Sequence, residues 1–156
     1  MPNLKQKGMN GMKRIVAVVL SCMMCFGIMQ SAFAYTDVPG DANYGEAIEV
    51  LSALEILKGD PEGTFRPSDT ITRAEFAAVI CRALGLGDAA VGIGGSTTYY
   101  DVPQGHWATG YINMATQRGI INGDPEGTFR PEDPVLYEEA VKMVVAALGY
   151  TPAAMR

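Results

Sequence analysis

One histidine, one tryptophan and three cysteines stand in a chain of 156 residues. A single imidazole, His106, excludes a multi-histidine metal centre. No Gly-x-Ser-x-Gly segment occurs, and no serine or cysteine nucleophile is patterned with His106, so acyl-transfer chemistry is not expected. Charged residues make up only 19% against 48% hydrophobic ones, which excludes a disordered chain. Acidic residues are absent from positions 1–34, where Lys5, Lys7, Lys13 and Arg14 are the only charges. Taking those four from the 12 basic residues leaves eight against 17 acids, a balance of −9 for the remainder. So acidic a chain repels nucleic acid and anionic membrane, and neither is expected as a partner.

The basic start reads as an address. Lys13-Arg14 precedes an uncharged run of 15 residues from Ile15 to Met29, followed by Ala32-Phe33-Ala34. The run falls short of the roughly 20 residues of a spanning helix. A basic region, an apolar region and a small-x-small site together predict a secretory signal at 1–34, cleaved between Ala34 and Tyr35. Met12-Lys13-Arg14 is a compact basic region by itself, so a start at Met1 or at Met12 gives the same reading. Cys22 and Cys25 have redox spacing but lie in the apolar run and leave with it. Val19-Leu20-Ser21-Cys22 also loosely matches a lipid-attachment site, though the run continues past Cys22. Cys81 then remains alone, with no internal disulfide to make. Apolar neighbours Val79, Ile80, Ala83 and Leu84 predict a buried thiol there.

The remainder is a repeat. Asp37-Val38-Pro39 returns as Asp101-Val102-Pro103, Gly59–Pro67 returns intact at 123–131, and Leu84-Gly85 returns as Leu148-Gly149, all at an offset of 64. A fixed period signals stacked units that cannot each bury an apolar face alone. The units are assigned to 35–86 and 99–150, with a Gly-rich linker at 87–98 and a tail at 151–156.

Each unit reads as helix, loop, helix, and the fold class is all-α. Tyr44, Ala47, Ile48 and Leu51 share one helical face, and Gly59 is expected as the C-cap. Thr72-Arg73-Ala74-Glu75 is a capping box, behind which Phe76, Val79, Ile80, Ala83 and Leu84 form a face that ends at Gly85. In the second unit Tyr111, Ile112 and Ala115 make the first face. A last helix is expected to open at Asp133-Pro134 and to run on Val141, Val144, Val145 and Leu148. Gly63 is free for a positive φ, Phe65 is expected to anchor the loop, and Asp37 and Asp101 to cap the start of each unit. Counting Asp60 as the first residue of a calcium loop puts Phe65 at position six and Ile71 at position twelve, so calcium is not expected. No metal, cofactor or catalytic residue is assigned. Glu138 and Glu139 are adjacent and point to different helix faces, which disfavours a glycosidase pair.

Asp-Val-Pro, His106-Trp107-Ala108, Gly-Ile-Ile-Asn-Gly at 119–123, Gly-Thr-Phe-Arg-Pro and Thr-Arg-Ala-Glu, in this order, resemble the S-layer homology domain family. The resemblance covers 35–150 as two units. It implies a spindle-like bundle usually built from three units, on secreted bacterial surface proteins. It implies non-covalent binding of the secondary cell-wall polysaccharide attached to peptidoglycan, often one bearing pyruvate ketals, and hence a place at the cell wall. By this resemblance Arg73, with Thr72, is the anion contact, and His106 and Trp107 supply the aromatic side of a shared groove. A ketal-linked pyruvate is a carboxylate that a guanidinium holds bidentately, and a helix N-terminus also favours an anion. The second unit has Leu136-Tyr137-Glu138-Glu139 in place of Thr-Arg-Ala-Glu, and the first has Ala42-Asn43-Tyr44 in place of His-Trp-Ala. Simpler roles stand beside these. Arg73 pairs with an acid, Trp107 joins the core, His106 sits in a turn, and Arg66 and Arg130 make structural contacts to loop carbonyls. The alternative function is a structural surface subunit that associates with other chains carrying the same repeats.

Overall fold

The computed structural model describes residues 35–150. The expected signal at 1–34 and the tail at 151–156 lie outside them. Among the described residues there are five helices and no strand: α1 (Gly45–Ala53), α2 (Arg73–Ala83), α3 (Gly87–Gly92), α4 (Thr109–Gln117) and α5 (Tyr137–Ala147). The all-α expectation holds. Adding 64 to the bounds of α1 and α2 gives those of α4 and α5, so the sequence period is also the structural period. None of these helices is long and apolar enough to cross a membrane.

The core is built where the two units meet. Helix α2, the second of unit one, packs on α4, the first of unit two, with α3 against both and α5 against α2. The buried face of α2 is Ala74, Ala77, Ala78, Ile80 and Cys81. Phe76 and Val79 are half-buried, and Ala83 and Leu84 are exposed, so the true face is rotated from the expected one. The reason is size. Ala and Cys let α2 approach Ala108, Ile112 and Ala115 closely, and the Cys81 thiol reaches the Tyr111 carbonyl at 3.6 Å. Burial pushes that thiol up to about 11, as suits an inert core group. The expected linker holds α3, whose buried Ala90 meets Gly110 of α4. A Cβ on Gly110 would collide with the Ala90 carbonyl.

Each loop is clamped by the aspartate of its Asp-Val-Pro. Asp37 accepts from the Phe65 and Arg66 N–H groups at 2.8 and 2.6 Å, and Asp101 from those of Phe129 and Arg130 at the same distances. These aspartates therefore tie the loop rather than cap a helix. Their hold explains why Arg66 and Arg130 keep φ of 57°, a left-handed conformation unusual for a side chain with a Cβ. The Tyr35 ring packs at a tilt against Phe65 and the Tyr99 ring against Phe129, which anchors each loop as expected of Phe65. Gly63 takes φ of +80° as expected. Gly59 is no cap, since α1 ends at Ala53 and Glu55 takes the left-handed turn. Gly59 is needed because the Tyr35 ring lies against it, its hydroxyl accepting from the Gly59 N–H at 3.0 Å. The last helix starts at Tyr137, not at Asp133-Pro134, because Asp133 and Pro131 give their carbonyls to the tip of α2.

Candidate functional site: the seam between the two units

At the tip of α2 the capping box forms as expected. The Thr72 hydroxyl accepts from the Glu75 N–H at 3.2 Å, and the Glu75 carboxylate accepts from the Thr72 N–H at 2.8 Å. The next two N–H groups donate across the seam, Arg73 to the Asp133 carbonyl at 2.9 Å and Ala74 to that of Pro131 at 3.0 Å. An anion expected at this helix start meets N–H groups that already have partners.

Arg73 is 5% exposed. Its Nε donates to the Phe129 carbonyl at 2.7 Å, its Nη1 pairs with Glu139 at 2.6 Å, and its guanidinium lies 4.9 Å over the Phe129 ring. The open carboxylate fork expected here is instead a buried tie from unit one to unit two. Glu139 also takes Arg130 at 2.7 Å and the Leu136 N–H at 3.0 Å. Burial pushes the Glu139 carboxyl up, and the Leu136 N–H, Arg73 and Arg130 outweigh it, holding it below the usual glutamate range. Arg66 and Arg130 have structural roles as expected, though their partners are carboxylates. Arg66 pairs with Asp60, Asp69 and Glu75, and Arg130 with Asp124, Asp133 and Glu139.

On the other side of the Pro131–Asp133 loop stand His106 and Trp107. His106 Nδ1 accepts from the Ala108 N–H at 3.1 Å, which leaves the ring proton on Nε2 to donate to Glu132 at 2.8 Å. The loop is thus bonded to Arg73 and Ala74 on one flank and to His106 on the other. Trp107 is 54% exposed and held from both sides, by His106 at 5.8 Å between centroids and by Tyr111 at 6.3 Å. Trp107 thus presents a fixed aromatic face to solvent and is not part of the buried core.

Two residues here were not placed at this site by the sequence reading, which gave Tyr111 only as part of a helical face. Tyr111 lies one turn after Trp107 and is buried beneath it. Arg82, near the end of α2, lays its guanidinium 4.9 Å over the Tyr111 ring and reaches the Tyr111 hydroxyl at 3.4 Å. Its buried Nε has no hydrogen-bond partner, and among the described residues it has no carboxylate partner. The i, i+4 spacing of Trp107 and Tyr111 was the available signal. Arg82 gave none, because its neighbour across the seam is 29 residues away.

Residues 34–77 and 98–141 match the S-layer homology domain, once in each unit. The chain belongs to the S-layer homology domain family. Among curated relatives, it is 39% identical over 90% of its length to a surface layer protein of Brevibacillus choshinensis, covering 13% of that protein. To a middle cell wall protein of Brevibacillus brevis it is 38% identical over 90% of its length, covering 14%. To a cellulosome-anchoring protein of Acetivibrio thermocellus it is 34% identical over 78% of its length, covering 27%. The chain therefore spans about an eighth of the first two. Family and relatives assign it to the cell surface. The S-layer homology units meet at the α2–α4 seam, where Trp107 stands exposed.

Proposed function

We propose that these two S-layer homology units anchor the protein that carries them to the cell wall, by holding an acidic secondary polysaccharide without covalent bonds. The observation that carries the reading is the exposed Trp107, wedged between His106 and Tyr111, with Arg82 over the same Tyr111 ring and without a carboxylate partner among the described residues. In this reading Trp107 stacks on a sugar ring, and Arg82 meets a carboxylate such as a ketal-linked pyruvate. His106 keeps Trp107 in place. Thr72 and Arg73 act from across the loop by fixing Pro131–Asp133, so they are positioning residues. The pairing explains how an acidic chain holds an anionic polymer, since the attraction is local to one cation. The name of the cellulosome-anchoring relative supports an attachment role, and no reaction is assigned to the units.

Pull-down on purified cell walls tests this. Binding is expected to intact walls and to vanish once the secondary polymer is stripped. Equal binding to stripped walls contradicts it. Arg82→Gln is expected to lose roughly tenfold in affinity, the scale of one charged hydrogen bond of about 1.5–3 kcal/mol.

A further inference from the structure

The offset of 64 puts Ala42, Asn43 and Ser68 of unit one at the places of His106, Trp107 and Glu132 in unit two. Both units nevertheless fold these segments alike. The Ala42 N–H donates to the Pro39 carbonyl at 3.0 Å and the Gly45 N–H to that of Ala42 at 2.9 Å. The His106 N–H donates to Pro103 and the Thr109 N–H to His106 in the same way, both at 3.0 Å. In the loops, the Asp69 N–H donates to the Arg66 carbonyl at 3.1 Å and the Asp133 N–H to that of Arg130 at 3.3 Å. These turns thus form in unit one without the imidazole, the indole or the carboxylate. The repeat does not need the three side chains for its own folding, and unit two carries them together.

They form one cluster. The His106 ring stacks on Trp107, and its Nε2 donates to Glu132 Oε1 at 2.8 Å. Glu132 therefore stands one imidazole away from the exposed indole. Its side chain is 71% exposed, and its second oxygen has no partner among the described residues. The loop that carries it is tied to the Arg73 and Ala74 N–H groups through Asp133 and Pro131, which fixes its place. From end to end the contacts run Glu132, His106, Trp107, Tyr111, Arg82. The acid and the base are the two end members, and the indole is in the middle.

We infer that Glu132 is a specificity-determining contact, whose free oxygen accepts from hydroxyl groups of the sugar held at Trp107. This rests on the polysaccharide reading and adds a direction to it. An ionised carboxylate only accepts hydrogen bonds, and those from hydroxyl groups are charge-assisted. A ligand carboxylate on that side meets like charge and is rejected. The ligand class is therefore a sugar acidic on one edge, turned toward Arg82, with unsubstituted hydroxyls on the other, turned toward Glu132.

The test is titration of the purified full chain, read by Trp107 emission, with native secondary wall polysaccharide and with the same polymer after mild-acid removal of its ketal groups. Glu132→Gln keeps an oxygen for His106 and loses the charge. It is expected to weaken binding roughly fivefold, the difference between a charged and a neutral hydrogen bond, and by the same factor on both polymers. Arg82→Gln is expected to weaken binding to the native polymer and to leave binding to the ketal-free polymer unchanged. Glu132→Ser, which installs the residue of unit one in the same turn, is expected to bind at least as weakly as Glu132→Gln while keeping the wild-type urea midpoint. A role limited to holding His106 predicts that Glu132→Gln binds as the wild type does. That result overturns the inference, as does a loss confined to the native polymer, and both leave the polysaccharide reading standing. A wild type that responds to neither polymer overturns both.

Discussion

Arg73 and Arg82 sit on one helix, and their surroundings give them opposite uses. Arg73 is enclosed by Glu139, the Phe129 carbonyl and the Phe129 ring, so its charge holds the two units together. Arg73→Ala removes the bond to the Phe129 carbonyl, the contact with the Phe129 ring and one of the two arginines on Glu139, and is expected to cost about 1–3 kcal/mol of stability, read from urea unfolding. Arg82→Gln is expected to leave the unfolding midpoint nearly unchanged while lowering polymer affinity. A reversal of these two outcomes contradicts the assignment. Glu139 also sets a pH dependence. Its carboxyl is lowered in the folded state from an ordinary value of 4.5. A lowered carboxyl stabilises the fold above its unfolded value, and that contribution is lost as pH falls through the folded value. The urea midpoint is therefore expected to hold from neutral pH down to about 4.5 and to drop below it, with Glu139→Gln flattening the drop. The capping box of Thr72 and Glu75 was legible in the sequence because its partners are three residues apart. The partners of Arg73 and Arg82 were not, because they lie 29 to 66 residues away and only packing brings them near.

The four repeated helices were legible, α3 within the expected linker was not, and helix faces were less so. The α2 segment is apolar almost all round, so a 3.6-residue period fits more than one face, and the small residues Ala74, Ala77, Ala78 and Cys81 won because they admit α4 at short range. The α1 stop at Ala53 was hidden because Glu55 takes a left-handed turn usually left to glycine, while Gly59 is reserved for the Tyr35 ring. Close approach gives a test at this scale. Gly110→Ala places a methyl group against the Ala90 carbonyl, and separating α3 from α4 is expected to cost about 1–3 kcal/mol in thermal or urea unfolding. Gly45→Ala, in the first turn of α1 with open space around it, is expected to be neutral or slightly stabilising. Equal losses at the two glycines contradict the packing of α3 in the seam.

The molecule as a whole is two copies of one unit joined through the second helix of the first and the first helix of the second. That design was legible from the offset alone, and the family followed from the motifs it repeats. Of the proposed binding surface, only the Trp107 side was legible. An exported protein is expected to begin at Tyr35 on N-terminal sequencing, and a chain beginning upstream contradicts the signal reading of 1–34. The proposed function puts a sugar ring on Trp107 and its carboxylate at Arg82, both of which contact Tyr111. Because Trp107 is the sole tryptophan, its fluorescence reports on the site directly. Titration with purified secondary wall polysaccharide is expected to shift and saturate this emission. Mild-acid removal of the polymer's ketal groups, or Arg82→Gln, is expected to weaken the response roughly tenfold, with the Arg73→Lys variant keeping it. An unchanged emission on saturation of the walls with protein, or an equal response from the polymer lacking its acidic groups, contradicts the account.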